Sequence, residues 1–254
     1  MTGNLLYIND FLIPQILVIE KDFLLAYKPP LKHSAPLKNK PEETMVEWVY
    51  REFPELAGLT GRKAGEGGLL HRLDYETHGL LLIAKTKSGM ENLLAQQSED
   101  RILKEYSALC SREKNSIPGF TAIPLCSTVE RFCSPTEQLC TSRITSAFRP
   151  YGVGRKAVRP LLNGEKQYIT EVKEIIQEIE GVYSLSIRIA KGFRHQIRCH
   201  LAWFGLPILN DILYGGQAFG KGFMGLRAKS ISFKNPATGR DLCYSIPKLE
   251  PEDI

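Results

Sequence analysis

The chain has 254 residues, of which 43% are hydrophobic and 24% are charged. A chain of this length and composition can bury a substantial core, which excludes a disordered protein and a small scaffold held together by disulfides. The formal net charge is +5. This mild basic excess suits a polyanionic partner without requiring one.

The cysteine pattern and the start of the chain indicate the compartment. The six cysteines form no C-x-x-C pair, so we expect reduced thiols; they are Cys110, Cys126, Cys133, Cys140, Cys199 and Cys243. Residues 1–14 lack the basic start and small-residue cleavage site of a signal peptide, and no run approaches the ~18 apolar residues of a membrane span. We therefore expect a cytoplasmic protein with no membrane insertion.

The first predicted element is a strand pair. Apolar runs at residues 16–20 and 23–27 flank Lys21-Asp22, and this pattern predicts a hairpin or a bent strand pair. Lys28-Pro29-Pro30 ends it, because proline lacks the amide hydrogen that a central strand needs.

Two capping-box patterns predict short helices. Thr44, followed three residues later by glutamate, predicts a helix over residues 45–53. The same spacing after Ser88 predicts a helix over residues 89–97. Between them lies a glycine-rich loop, and the apolar run at residues 80–84 reads as a buried strand.

A strand with mixed alternation is predicted over residues 102–109. Residues 111–164 are rich in Pro, Gly, Ser, Thr and Arg, which predicts short strands and long loops. Within 141–164 there is a basic stripe without any Asp or Glu, formed by Arg143, Arg149, Arg155, Lys156 and Arg159. The stripe is a candidate for phosphate contacts.

The last part of the chain predicts two strand pairs around a helix. Residues 168–179 and 182–190 form a hairpin pattern, and residues 194–204 have helical apolar spacing closed by a glycine. Residues 229–233 and 241–246 are predicted to pair across a turn rich in Asn, Pro and Gly.

Two long motifs carry a family resemblance. The first is the stretch H-R-L-D-Y-E-T-H-G at residues 71–79, followed by L-L-L-I-A-K. The second is K-G-F-R-H-Q-I-R-C-H-L at residues 191–201, followed by G-L-P-I and N-D-I-L-Y-G. In this order they resemble the RluA-type pseudouridine synthases, and the match extends over about residues 16–246.

The resemblance implies three catalytic residues. Asp74 matches the catalytic nucleophile, Tyr106 matches a tyrosine that lines the uracil pocket, and Arg198 matches the arginine that pairs with the catalytic aspartate. Lys28 matches a lysine at the end of a strand near the active site, although a solvated strand end is an equal alternative. Outside the motif, such residues are more often a loop aspartate, a core tyrosine and a surface arginine.

The implied reaction is the isomerisation of uridine in structured ribosomal or transfer RNA. It breaks the glycosidic C–N bond and re-forms the link through a ring carbon, and a carboxylate can supply the covalent intermediate without a metal or other cofactor. Whether the aspartate attacks the sugar or the base, or acts as a base in a glycal route, stays open.

The target nucleotide must be extruded to reach the carboxylate. Arg72 matches the family arginine associated with the space left by the flipped base, with a phosphate contact as its alternative. Lys85, Arg194 and the stripe are expected to contact the RNA backbone. The remaining partner expectations are a monomer and no obligatory protein partner.

Two departures and two rival functions qualify this assignment. The family usually has serine at the position of His78 and Arg-Thr at Phe193-Arg194. A zinc or iron site remains an alternative if the spacing of His71, Asp74 and His78 lies on a helix, with His195 and His200 in the second block. The other rival is an inactive RNA-binding module.

The sequence therefore predicts a mixed α/β (α+β) fold on a mostly antiparallel sheet with flanking helices and loops. We expect a single catalytic domain over residues 1–254 and no separate N-terminal RNA-binding domain.

Overall fold

The structure, a computed structural model, describes residues 4–37, 42–59, 61, 65–112, 120 and 142–254. By its contacts the chain divides into two compact units, the first formed by Met1–Lys104 and Ala228–Pro247 and the second by Glu105–Arg227 and Lys248–Ile254. The expected single domain over residues 1–254 stays a prediction.

Eleven strands and three α-helices follow one another in the described residues. In chain order they are β1 (Asn4–Leu5), β2 (Gln15–Ile19), β3 (Phe23–Lys28), α1 (Met45–Glu52), β4 (His78–Ala84), α2 (Lys87–Ser98), β5 (Leu103–Ser111), β6 (Ser142–Tyr151), β7 (Ala157–Leu161), β8 (Tyr168–Ile179), β9 (Val182–Ile189), α3 (Gln196–Trp203), β10 (Leu226–Lys234) and β11 (Asp241–Ser245). The predicted mixed α+β class with mostly antiparallel strands is confirmed.

The first unit is built on strands β2, β3, β4, β10 and β11. Three strand pairs of this unit are antiparallel, namely β2–β3, β3–β4 and β10–β11, and β1 runs parallel to β11. β3 and β4 are buried along their whole lengths. This explains why their sequences are apolar runs rather than alternating patterns. The predicted β2–β3 hairpin and the predicted last strand pair are confirmed.

One glycine of the first unit is required by close packing. Gly79, the second residue of β4, has φ +123°, and a Cβ placed there would lie 2.3 Å from the carbonyl oxygen of Ala228. A larger residue would push β4 away from β10 just behind the loop that carries Asp74. The glycine of the first motif is therefore fixed by backbone approach.

Both predicted helices of the first unit exist, but one cap was assigned wrongly. Thr44 caps α1 through a complete capping box with Glu47, as predicted. α2 begins at Lys87 because Thr86, not Ser88, is its cap: the Thr86 hydroxyl accepts from the Gly89 N–H at 3.0 Å. The same hydroxyl donates to Asp22 at 2.6 Å, which fixes its orientation.

The second unit is built on β5, β9, β8, β6 and β7 in that order. The β8–β9 hairpin turns at residues 180–181, as predicted. Residues 113–119 and 121–141 of the expected loop-rich region lie outside the described part. Beyond them, β6 and β7 form an antiparallel hairpin whose register the sequence did not indicate.

The predicted helix over 194–204 is α3, and it starts two residues later than expected. His195 has φ 55° and ψ 21°, a left-handed conformation that cannot continue a right-handed helix. Gly205 ends the helix with φ +82°, and the Leu206 N–H donates to the Leu201 carbonyl at 2.9 Å. Within the described residues, no helix is long and apolar enough to cross a membrane.

Candidate active site

Asp74 lies in a loop of the first unit, half-buried, between two residues whose backbones are held. The Ser34 hydroxyl accepts a hydrogen bond from the Leu73 N–H at 2.9 Å and donates to the Leu73 carbonyl at 2.8 Å. On the other side, Lys28 Nζ donates to the Tyr75 carbonyl at 3.1 Å. Asp74 is therefore presented by a loop with little freedom to move.

Lys28 is a buried lysine beneath this loop. Its side chain is 0% exposed, which excludes the solvated strand end. Besides Tyr75 it donates to the carbonyls of Pro29 at 2.9 Å and Lys32 at 2.6 Å. Burial lowers the pKa of Lys28 to about 7, while the negative charge of Asp74 opposes that shift.

The Lys28 pKa predicts how stability depends on pH. Between about pH 7 and 10 the unfolded chain keeps a lysine proton that the folded protein has released. Stability therefore rises with pH, by up to about 1.4 kcal/mol per unit for this group. We expect the free energy of unfolding of the wild type, minus that of Lys28→Met, to increase over this range. Urea unfolding at pH 7, 8.5 and 10 measures it, and a difference independent of pH would contradict the buried titration.

The histidines of the first motif serve the fold. His71 Nε2 accepts from the Leu82 N–H at 3.3 Å, and burial lowers the pKa of His71 to about 3, so the ring is neutral. His78 is the first residue of β4, with its ring 4.8 Å from that of Phe11 in an edge contact.

Residues 70–77 contain no helix, so the helical spacing assumed by the metal-site alternative is wrong. No group of three or more His, Cys, Asp or Glu side chains suited to a metal ion occurs among the described residues.

Arg198 lies on α3 in the second unit and is held by a carboxylate. Its Nε is 2.7 Å from Asp211 Oδ2 and its Nη2 is 2.8 Å from Asp211 Oδ1, a two-point pair. The exposed fractions of the two side chains are 3% and 1%. Asp211 was part of the second motif, but the sequence assigned it no role. The pairing of Arg198 with the catalytic aspartate stays a prediction.

Tyr214 packs against this pair and connects it to β7. The Arg198 guanidinium carbon is 5.4 Å from the centre of the Tyr214 ring. The Tyr214 hydroxyl accepts from the Val158 N–H at 2.8 Å and lies 3.1 Å from His195 Nδ1. Burial raises the pKa of Tyr214 well above its usual value, so this hydroxyl stays protonated.

The structure buries Tyr106 and leaves Arg72 half exposed. Tyr106 is on β5 in the second unit and is 6% exposed. Arg72 is in the first unit, half exposed, with Nη1 3.2 Å from Glu66 Oε1. An exposed ion pair of this kind contributes little to stability, so it does not prevent Arg72 from changing partner. The roles of both residues stay predictions.

Two residues expected to contact RNA, Lys85 and Arg194, donate hydrogen bonds to backbone carbonyls, and their RNA contacts stay predictions. Lys85 Nζ donates to the Glu20 carbonyl at 2.9 Å, at the turn between β2 and β3. Arg194 Nη2 donates to the carbonyls of Arg155 at 2.6 Å and Ala157 at 3.0 Å, which fixes the tip of the β6–β7 hairpin. These hydrogen bonds are a role that the sequence did not indicate.

The basic stripe lies on this hairpin and its flank. Arg149 and Arg159 are directly opposite each other in the β6–β7 register. Arg159 also lies 5.3 Å from the centre of the Tyr151 ring. Arg155 and Lys156 are exposed at the tip, whereas Arg143 on β6 has Glu171 as a cross-strand neighbour at 3.8 Å.

Phe193, the other departure from the family pattern, packs as an aromatic residue. Its ring is stacked on Phe148 of β6 at 5.1 Å with an angle of 6° between the rings, and Tyr168 lies 5.0 Å away. These ring contacts pack the segment just before α3 against β6 and β8. The Arg198–Asp211 pair is present in the same structure.

The sequence matches known proteins over most of its length. The model of the family described as RNA pseudouridylate synthase matches residues 22–203. A "Ribosomal large subunit pseudouridine synthase D" of Vibrio parahaemolyticus is 24% identical over 95% of this chain and 69% of its own length. A protein of Bacillus subtilis named "Uncharacterized RNA pseudouridine synthase YjbO" is 24% identical over 94% of this chain and 73% of its own.

Solved structures agree with this in fold. "Human RNA Pseudouridylate Synthase Domain Containing 1" covers 92% of this chain and 84% of its own, with a TM-score of 0.61 at 18% identity. "Human RNA Pseudouridylate Synthase Domain Containing 4" has a TM-score of 0.60 at 17% identity, over 92% of this chain and 88% of its own. The structures support the fold, and the family match over residues 22–203 shows that the chain belongs to the RNA pseudouridylate synthase family, as an RluA-type RNA-modifying isomerase.

Proposed function

We propose that the protein isomerises specific uridines in structured RNA to pseudouridine, with Asp74, Tyr106 and Arg198 as its catalytic residues. The single observation that carries the proposal is the fixation of the Asp74 loop by Ser34 and Lys28 on its two sides. A nucleophile must be held in place before it meets its target, and this arrangement supplies that condition.

The chemistry asks little more of the protein than a positioned carboxylate. Asp74 carries the covalent or proton-transfer step at the uridine, Tyr106 packs against the base, and Arg198 supports the ionised form of the aspartate. The reaction contains no redox step and needs neither a metal nor a nucleotide cofactor. The relatives' names make large-subunit ribosomal RNA the first substrate to test. Transfer RNA, which the family resemblance also implies, is the second.

The RNA backbone is bound by the basic stripe on the β6–β7 hairpin. Like charges directly opposite each other in a sheet are unfavourable, so the Arg149–Arg159 pair favours a polyanion between or above them. Arg72 occupies the space left by the flipped base. Lys85 and Arg194 contact phosphates while they keep their backbone partners, since a lysine or arginine has several donor hydrogens.

We infer further that the protein is a cytoplasmic monomer that needs no protein partner.

Salt dependence tests the stripe. If its cations neutralise phosphates, the logarithm of RNA affinity falls linearly with the logarithm of salt concentration, by roughly one unit of slope per contact. Arg155→Glu/Lys156→Glu should reduce that slope by about two units, because both residues are exposed at the hairpin tip. Lys173→Glu on β8 is the matched control, because Lys173 lies outside the stripe and pairs with Glu171 at 3.1 Å. An unchanged slope in the hairpin variant would move the binding face elsewhere.

The function itself is tested on RNA from a strain that lacks the gene. Pseudouridine mapping should reveal one or more sites that are absent in this RNA and present in the wild type. The purified protein should restore them in vitro, with and without excess EDTA. If the protein binds this RNA and forms no pseudouridine, the inactive RNA-binding module is correct. Activity that vanishes with EDTA and returns with zinc would favour a metal enzyme.

A further inference from the structure

We propose that Asp211 is the residue that positions Arg198 for the reaction. This inference rests on the proposed function, because it concerns the same catalytic arginine. The second motif contains Asp211, and the proposed chemistry assigns it no step. Its carboxylate nevertheless makes the two-point contact with Arg198, at 2.7 and 2.8 Å, in a setting almost closed to solvent.

The geometry of the contact determines the orientation of the guanidinium group. Two parallel hydrogen bonds from Nε and Nη2 to one carboxylate fix both the plane and the direction of a planar fork, whereas a single bond would let it rotate. The carboxylate of Asp211 thus holds the edge of the guanidinium that carries Nε and Nη2. Asp211 therefore determines the plane of the Arg198 guanidinium and the direction in which its opposite edge faces.

Asp211 is itself held in a tight turn. Its N–H donates to the Ile208 carbonyl at 3.1 Å, and its own carbonyl accepts from the N–H groups of Tyr214 at 3.0 Å and Gly216 at 2.9 Å. A Cβ at Gly216 would lie 1.9 Å from the Ile208 carbonyl oxygen, so the turn closes only with glycine there. The carboxylate thus has a fixed backbone beneath it.

Tyr214 restricts Arg198 from a second direction. Its ring lies against the guanidinium, and its hydroxyl is tied to the Val158 N–H of β7. The ring restricts tilting of the fork, while Asp211 restricts its rotation. Together they hold a flexible side chain in one conformation before substrate arrives, which is the condition for efficient electrostatic assistance.

A purely structural ion pair would behave differently from a positioning pair. Loss of one partner of any buried pair lowers stability, since the remaining charge is left unpaired. Only the loss of a positioning pair also lowers the rate of the chemical step in molecules that remain folded and bind RNA normally. The two quantities must therefore be separated.

The test is a single-turnover measurement on total RNA from the strain that lacks the gene. The rate is followed against enzyme concentration, at a temperature well below the melting temperature of every variant, to obtain the maximal rate and the half-saturating concentration. For Asp211→Asn we expect the maximal rate to fall about 10- to 100-fold and half-saturation to stay within about twofold. Asp211→Glu keeps the charge one methylene further out and should recover part of the rate.

Asp253→Asn is the matched control in the same unit. Asp253 pairs with another buried arginine, Arg227, at 3.1 Å, and that pair does not involve Arg198. Its variant should lose stability and keep the wild-type maximal rate. If Asp211→Asn does not fold, Asp211→Glu alone carries the test, and a wild-type rate in it would overturn the inference.

The remaining outcomes separate this inference from the proposed function. A wild type that forms no pseudouridine, or an active Asp74→Asn, refutes the proposed function. The other result is an active wild type with a folded Asp211→Asn that reaches the wild-type maximal rate, or loses no more of it than Asp253→Asn does. That result overturns only the positioning role of Asp211.

Discussion

Asp74→Asn is expected to leave a folded protein that binds RNA and forms no detectable pseudouridine. The substitution keeps nearly the same shape but removes the negative charge and the nucleophilic oxygen. Because the bonds of Ser34 and Lys28 go to the backbones of Leu73 and Tyr75, the loop keeps its supports. We expect the single-turnover rate to fall by at least about 10³-fold.

Glu76→Gln is the matched control for this variant. Glu76 lies two residues from Asp74, is half-buried, and its charge also acts on Lys28. Both variants therefore remove one negative charge near the same buried lysine. Glu76→Gln should retain a rate within a few-fold of the wild type, and both variants should show similar melting temperatures and RNA affinity. Robust product formation by folded Asp74→Asn would require the function to be rebuilt around another residue.

Arg198→Ala should lower both the rate and the stability. If Arg198 supports the ionised form of Asp74, as proposed, the rate should fall by about 10²- to 10³-fold, because the variant removes that cation. The variant also leaves the buried carboxylate of Asp211 unpaired, which typically costs about 3–5 kcal/mol. Arg198→Lys keeps a positive charge for Asp211 and loses only the planar fork, so it should be more stable than Arg198→Ala and still slower than the wild type.

A double-mutant cycle tests whether Asp74 and Arg198 serve one step. Asp74→Glu retains a carboxylate and is expected to keep a measurable rate, which makes it suitable for a cycle with Arg198→Lys. Residues that act as a unit show losses that do not add, so the double variant should be faster than the product of the two single losses. Strictly additive losses in folded proteins would show that the two residues act independently.

Local patterns were sufficient to predict most elements and the family. The Thr44 capping box, the apolar runs of β3 and β4 and the β8–β9 hairpin depend on neighbours within a few residues, so they are readable from the chain. Asp74, Tyr106 and Arg198 were chosen by motif, and their chemical roles stay predictions.

Choices between nearby alternatives were harder to predict. Thr86 and Ser88 both have the right side chain for a helix cap, and the contact of Thr86 with Asp22, 64 residues away in the chain, orients the cap that is used. The start of α3 depends on the left-handed conformation of His195, which no local pattern indicated.

The sequence by itself therefore determined the residue types at the candidate site and the elements that carry them. Only the tertiary structure decided what holds those residues: Ser34 and Lys28 at the Asp74 loop, Asp211 at Arg198, and the carbonyls of the β6–β7 hairpin at Arg194. Most of these partners come from distant parts of the chain, and several are backbone atoms. A backbone carbonyl has the same chemistry at every residue, so its role as a partner depends on where folding places it.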